Sequence, residues 1–213
     1  MLALAGPLAA ESPEFAVYAF GTRPYGFPGL RYLGAGVRMG PWAVAVRQFG
    51  NALFQQFRVS GAVAGSEDWL AGGGLETVRF GTLYRQGVWL EGGGRVLRTS
   101  VFRLDAVGWF HSLVPGYRWA GLRLFGRWDT GPWSTLALLG FEPEVGMSLA
   151  WHTTYRIHRL LTLGVAYRSE PLLVGGTLWI RTRPALLYTL MYHPDLGISH
   201  TWGLAWAPAQ AEP

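Results

Sequence analysis

The stretch VGMSLAWHTTYRI, residues 145–157, alternates in character from one residue to the next. Val145, Met147, Leu149, Trp151, Thr153, Tyr155 and Ile157 fall on one parity, and Gly146, Ser148, Ala150, His152, Thr154 and Arg156 on the other. A strand sends successive side chains to opposite faces, so the stretch predicts a β-strand with one large apolar face and one face of small polar groups. Residues 160–182 repeat the pattern. Leu161, Leu163, Val165 and Tyr167, then Leu172, Val174, Leu178 and Ile180, oppose Thr162, Gly164, Ala166 and Arg168, then Gly175, Thr177, Trp179 and Arg181.

The solvent on each side follows from the chemistry of the two faces. A water-facing exterior is rich in Lys, Glu and Asp, whereas the polar parity here is Gly, Ala, Ser and Thr with a single Arg toward one end. Such a face suits a crowded interior. The other parity stays apolar over about 10 residues, the length that a tilted strand needs to cross hydrocarbon. Composition agrees: charged residues are 15% of the 213, aromatics are 15% with 11 Trp, and Gly numbers 30. A soluble domain carries roughly 25% charged residues.

Period two persists along the chain. It predicts fourteen strands, over 15–22, 30–39, 42–49, 53–64, 70–84, 88–97, 100–110, 117–128, 133–141, 144–157, 160–168, 172–182, 185–192 and 196–206. Short breakers separate them, among them GP at 40–41, QG at 86–87, DTGP at 129–132, SEP at 169–171, TRP at 182–184 and HPD at 193–195. Connections this short make neighbouring strands antiparallel hairpins. WLAGGGL at 69–75 and WLEGGGR at 89–95 echo each other, with a bulge or extra turn open across residues 65–110. No helix follows either GGG, so neither is a phosphate cradle.

A soluble sandwich or barrel with apolar faces inward competes with a membrane barrel whose apolar faces point out, and the face chemistry favours the second. The fold class is therefore all-β: a closed antiparallel transmembrane β-barrel of about 14 strands, with 12 as the alternative, in up-and-down order. Trp42, Trp69, Trp89, Trp109, Trp128, Trp133 and Trp206, with Tyr84, Tyr117 and Tyr192, are expected near strand ends as interfacial girdles. Residues 1–13 read as a signal-like or N-terminal arm, 14–207 as the barrel and 208–213 as a polar tail.

With these features the chain resembles the bacterial outer-membrane β-barrels as a class. Its last stretch, YHPDLGISHTWGLAW at 192–206, is similar over about fifteen residues to the closing strands of FadL-like and PorV-like barrels. FadL-like members carry an N-terminal plug inside a 14-strand wall, whereas Phe15 already begins a strand here, and the terminal Phe common in the class has only Trp206 as a nearby aromatic. The resemblance implies residence in the outer membrane, with its lipids as partners.

Every basic residue is Arg, the formal charge is +5 and Cys is absent. Disulfides, Cys-ligated zinc and thiol nucleophiles are thereby excluded. Arg38, Arg58, Arg123, Arg127, Arg156, Arg168 and Arg181, with His152, are the candidate lumen residues. Two readings follow: an anion-leaning passive pore admitting small anionic solutes, or a structural network in which these arginines pair with Glu76, Glu91, Asp105 and Glu144. A non-conducting barrel would serve an envelope protein partner.

Catalysis is not expected. Glu144, Ser148 and His152 share a parity, but four residues along a strand span about 13 Å, far beyond nucleophile-to-base reach. Adjacent Ser199 and His200 face opposite ways. A lipid-modifying enzyme is the remote alternative. No metal-ligand spacing and no cofactor motif appear, so neither is expected. The arginines are spread through the strands without a basic run, which argues against nucleic acid.

Overall fold

The computed structural model describes residues 15–27, 29–65, 69–114, 116–142 and 146–207. The signal-like segment, the polar tail, Glu144 and Val145 lie outside them. The fourteen strands are β1 Phe15–Arg23, β2 Arg31–Met39, β3 Trp42–Gly50, β4 Phe54–Gly65, β5 Trp69–Phe80, β6 Leu83–Arg98 and β7 Phe102–Val114, then β8 Tyr117–Thr130, β9 Trp133–Glu142, β10 Gly146–His158, β11 Leu161–Arg168, β12 Leu173–Ile180, β13 Ala185–His193 and β14 Gly197–Trp206. Each pairs antiparallel with its sequence neighbours, and β1 pairs with β14 from Val17↔Trp206 to Arg23↔His200. The cylinder is closed, so no sheet edge is left with unpaired backbone groups.

Register assigns every residue to a face. Leu149, Leu163 and Val174 are 44%, 44% and 47% exposed and belong to the outer wall. Their partners on the other parity, such as Ala150, His152, Thr162, Thr177 and Thr189, are buried inside. Large apolar side chains thus dominate the outer wall, and glycine, hydroxyl, charged and some aromatic side chains fill the interior.

Two-residue turns need a left-handed position, and glycine supplies it without a Cβ clash. Gly40, Gly81 and Gly131, at φ +55°, +58° and +58°, do so in the β2–β3, β5–β6 and β8–β9 connections. The turn expected at residues 86–87 is therefore corrected to Gly81 and Thr82. Gly87 is a mid-strand residue opposite Glu76 and Leu113, where a Cβ would stand 2.6 Å from Leu113 Cδ2. It is a glycine of packing, not of turning. The echoed glycine runs lie in regular ladder, and the register shift falls just after the second, between Arg95 and Leu97.

The strands differ in height. β6 has 16 residues and β8 has 14, whereas β11 and β12 have 8 each. Trp42, Trp69, Trp128, Trp133 and Trp206 lie exposed on the outer parity, all at the rim where β1 starts and β14 ends. Phe15 meets Trp206 at 6.0 Å, Phe102 meets Trp128 at 6.3 Å and Trp133 meets Tyr155 at 4.5 Å, which continues the belt around this rim.

Substituting Leu163→Arg, on the outer wall midway along β11, should cost about 2–4 kcal/mol of folding free energy into lipid vesicles. Denaturant titration in vesicles measures this, and an unchanged midpoint would contradict the outward placement.

Candidate functional site

The interior has two unlike walls. From β4 to β9 the inward parity carries Arg58, Glu76, Trp89, Glu91, His111, Trp109, Trp119, Arg123 and Glu142, linked by the registers Glu76↔Gly87, Trp89↔His111 and Val107↔Arg123. From β10 around to β1 it carries Ser148, His152, Thr162, Thr177, Thr189, Ser199, Thr201 and Thr22, with Trp179, Phe20 and Tyr18 on the same parity. One wall is charged and aromatic. The other is hydroxylated, with Arg156, Arg168 and Arg181 toward its ends and no carboxylate among these inward residues.

Glu76 anchors the charged wall at 2% exposure. Gln56 Nε2 donates to its Oε1 at 2.8 Å, and Arg58 donates to Oε2 through Nε at 2.9 Å and through Nη2. Both guanidinium donors converge on one carboxylate oxygen, and such charge-assisted bonds are stronger than neutral ones. His111 Nε2 stands 3.4 Å from the same oxygen without making a hydrogen bond, and its ring meets Trp119 edge-on at 4.5 Å. Arg58 also lies over the Trp89 ring, 5.4 Å from its centroid.

Glycine makes this crowding possible. A Cβ on Gly74 would stand 2.7 Å from Trp89 Nε1, and one on Gly72 would stand 3.2 Å from Glu91 Oε1. The inward glycines of the first GGG run thus receive the two large side chains of the neighbouring strand. Gly121 receives Trp109 in the same way, at 2.8 Å.

Further ion pairs follow along the wall. Arg123 approaches Glu142 at 3.5 Å and lies 5.2 Å over Trp109, Arg103 pairs with Asp105 at 2.7 Å, and Arg127 with Asp129 at 2.6 Å. Arg181 lies 4.7 Å over Trp179. Arg38 Nε donates to the Gly40 carbonyl at 3.2 Å. Arg156 and Arg168 are exposed on the inward parity and make no ion pair among the described residues. His152 is buried, with Nε2 unbonded and directed at Gly164.

The interfacial reading of Trp89 and Trp109 needs correction. With the turn at 81–82, Trp89 lies well inside β6, and Trp109 lies midway along β7. Both indole N–H groups are buried in the interior without a hydrogen-bond partner among the described residues. Sequence reasoning passed over Arg47, Arg85, Arg95 and Arg103, which share the inward parity, and over the Gln56–Glu76–His111 convergence. For Arg85 the available clue was a turn at Gly81, which puts residue 85 on the inward parity of β6. Ser199 Oγ accepts the Tyr25 N–H at 2.8 Å inside the wall, while His200 bonds the Tyr188 hydroxyl on the outer face, so the two are engaged separately. No metal-holding cluster occurs among the described residues.

The chain matches no protein-family model, and no curated protein matches its sequence. Solved structures share its fold at low identity. KdgM porin in complex with disordered oligogalacturonate aligns at 11% identity over 91% of this chain and 99% of that one, with a TM-score of 0.56. Omp33, an outer membrane protein of Acinetobacter baumannii, aligns at 11% identity over 92% and 98%, TM-score 0.58. A bacterial polysaccharide outer membrane secretin aligns at 10% identity over 94% and 100%, TM-score 0.54. The fold is that of outer-membrane porin barrels. Its closed ladder and exposed apolar exterior are those of a β-barrel that crosses a membrane with strands. The FadL-like and PorV-like resemblance read from residues 192–206 is not shown by these comparisons.

Removing Glu76 alone would leave Arg58 and Gln56 without their acceptor. Glu76→Ala is expected to lose about 2–4 kcal/mol of stability in detergent unfolding, and the added Arg58→Met to recover most of it. Additive losses in the double variant would mean that the pair does not couple.

Proposed function

We propose that the barrel is a passive, porin-like channel with an arginine-lined, anion-leaning lumen. The reading rests on one observation: along the inward parity, arginines outnumber carboxylates from rim to rim. Arg85 and Arg168 stand toward one end, Arg47, Arg58 and Arg123 at mid-height, and Arg38, Arg127, Arg156 and Arg181 toward the other. Glu76, Glu91, Asp105, Asp129 and Glu142 offset only part of this charge. In a confined, low-dielectric passage an excess of fixed positive charge raises the local concentration of anions and repels cations.

The solute class follows from the side chains. Indoles carrying guanidinium groups, as in Arg58 with Trp89 and Arg123 with Trp109, offer a flat apolar surface beside a carboxylate partner. Small anionic solutes, acidic sugars among them, combine these two features. KdgM porin forms a complex with a disordered oligogalacturonate, and a ligand of that chemistry suits this wall. Such a barrel acts by diffusion, not by catalysis.

A second reading, a non-conducting barrel serving an envelope partner, has its own observation. Glu76 and Thr189, inside β5 and β13, are each only 2% exposed, as in a filled interior. Planar-bilayer recording separates the two. A conducting protein should give an anion-selective reversal potential in a salt gradient, and Arg123→Glu with Arg127→Glu should invert its sign. Inserted protein without current would remove the channel reading, and unaltered selectivity in the variant would remove these arginines from the pathway.

A further inference from the structure

We propose that the outer wall binds the phosphate head group of an anionic lipid at a row formed by Arg31, Arg23 and His200, on the rim opposite the tryptophans. This inference holds whether or not the barrel conducts, since it concerns the exterior. Register makes the row. Arg23 pairs with His200 across β1 and β14, and the β1–β2 ladder, carried one residue past Thr22↔Tyr32, sets Arg23 beside Arg31. These positions share the parity of Leu33, Trp202 and Leu204, which are exposed on the lipid-facing wall.

Two like charges directly opposite on adjacent strands repel and destabilise the pairing. Inside the barrel, Arg58, Arg103, Arg123 and Arg127 are each set against a carboxylate. Arg23 and Arg31 are both exposed, and among the described residues neither makes an ion pair or a side-chain hydrogen bond. A phosphate bridging them would turn repulsion into two charge-assisted contacts, the geometry at which guanidinium groups excel.

The third member of the row is held in place. His200 Nδ1 lies 2.7 Å from the Tyr188 hydroxyl, and its ring stacks on Trp202 at 5.8 Å and 15°. The bond engages Nδ1, and the other ring nitrogen, Nε2, serves an acceptor whenever it carries the ring hydrogen.

The adjacent loop leaves the row uncovered. After Arg23 the chain enters a short 3-10 turn, Pro24–Gly26, in which the Tyr25 N–H donates to Ser199 Oγ on the inner face. That bond draws the connection toward the lumen. The two rims also differ: outward positions beside the tryptophans include Met39 and Ile180, whereas Arg79 and Arg118 join Arg23 and Arg31 on the outer parity of the opposite rim.

Native mass spectrometry of the intact barrel, released from nanodiscs of diphosphoryl lipid A and phosphatidylcholine, tests the assignment. The wild type should retain lipid A in preference to phosphatidylcholine, and dephosphorylated lipid A should lose that preference. R23Q/R31Q should lower lipid A retention about tenfold or more, since each basic residue near a charged lipid surface contributes about 1 kcal/mol. R118Q, on the far side of the same rim, should leave retention unchanged. Heat-modifiable migration confirms folding, and each single variant should give an intermediate loss if the double variant does not fold. Equal retention by R23Q/R31Q, or equal retention of phosphatidylcholine, would overturn the proposal. So would displacement of lipid A by excess inorganic phosphate, which would make the row a soluble-anion site.

Discussion

Every peptide group of this chain that lies in hydrocarbon must find its partner within the protein, and the ladder between β1 and β14 is where that requirement is met last. Thirteen hairpin pairings form between sequence neighbours, but the final one joins residues from opposite ends of the described chain. Once it closes, the two parities become an inside and an outside. The lipid belt, the buried polar interior and the arginine distribution all depend on that division.

Within the cylinder, glycine and charge are two parts of one arrangement. Trp89 and Glu91 can turn inward together because Gly74 and Gly72 leave their side of the neighbouring strand bare. Arg58 can then lie over Trp89 while reaching Glu76. The opposite wall uses hydroxyl pairs instead, such as Thr177 with Thr189 at 3.3 Å and Thr22 with Thr201 at 2.9 Å.

The fold class and the fourteen strands were legible in sequence because period two and the chemistry of each face are local properties, repeated from strand to strand. Trp133 and Trp206 were legible as rim residues for the same reason, since each sits beside a turn or chain end. Trp89 was not. Its position depended on which glycine turns the chain, and Gly87 resembles Gly81 until Leu113 is seen packed against it. The convergence on Glu76 was also out of reach, because Gln56 and Arg58 come from β4 and His111 from β7, whose offsets from β5 are fixed only by the ladder. The row of Arg31, Arg23 and His200 depends on closure itself, and no local pattern announces it.

The unequal wall heights bear on the surrounding bilayer. Eight residues in β11 and β12 rise about 20 Å at the usual strand tilt, less than a typical hydrocarbon core of about 30 Å, whereas the 16 of β6 exceed it. Lipids beside the short wall must compress, or the cylinder must lean so that its low side is level with them. Either response makes the membrane around this protein lopsided, with an annulus thinner on one flank than on the other. That flank is a mechanical landmark by which the barrel would acquire a fixed azimuth relative to its neighbours.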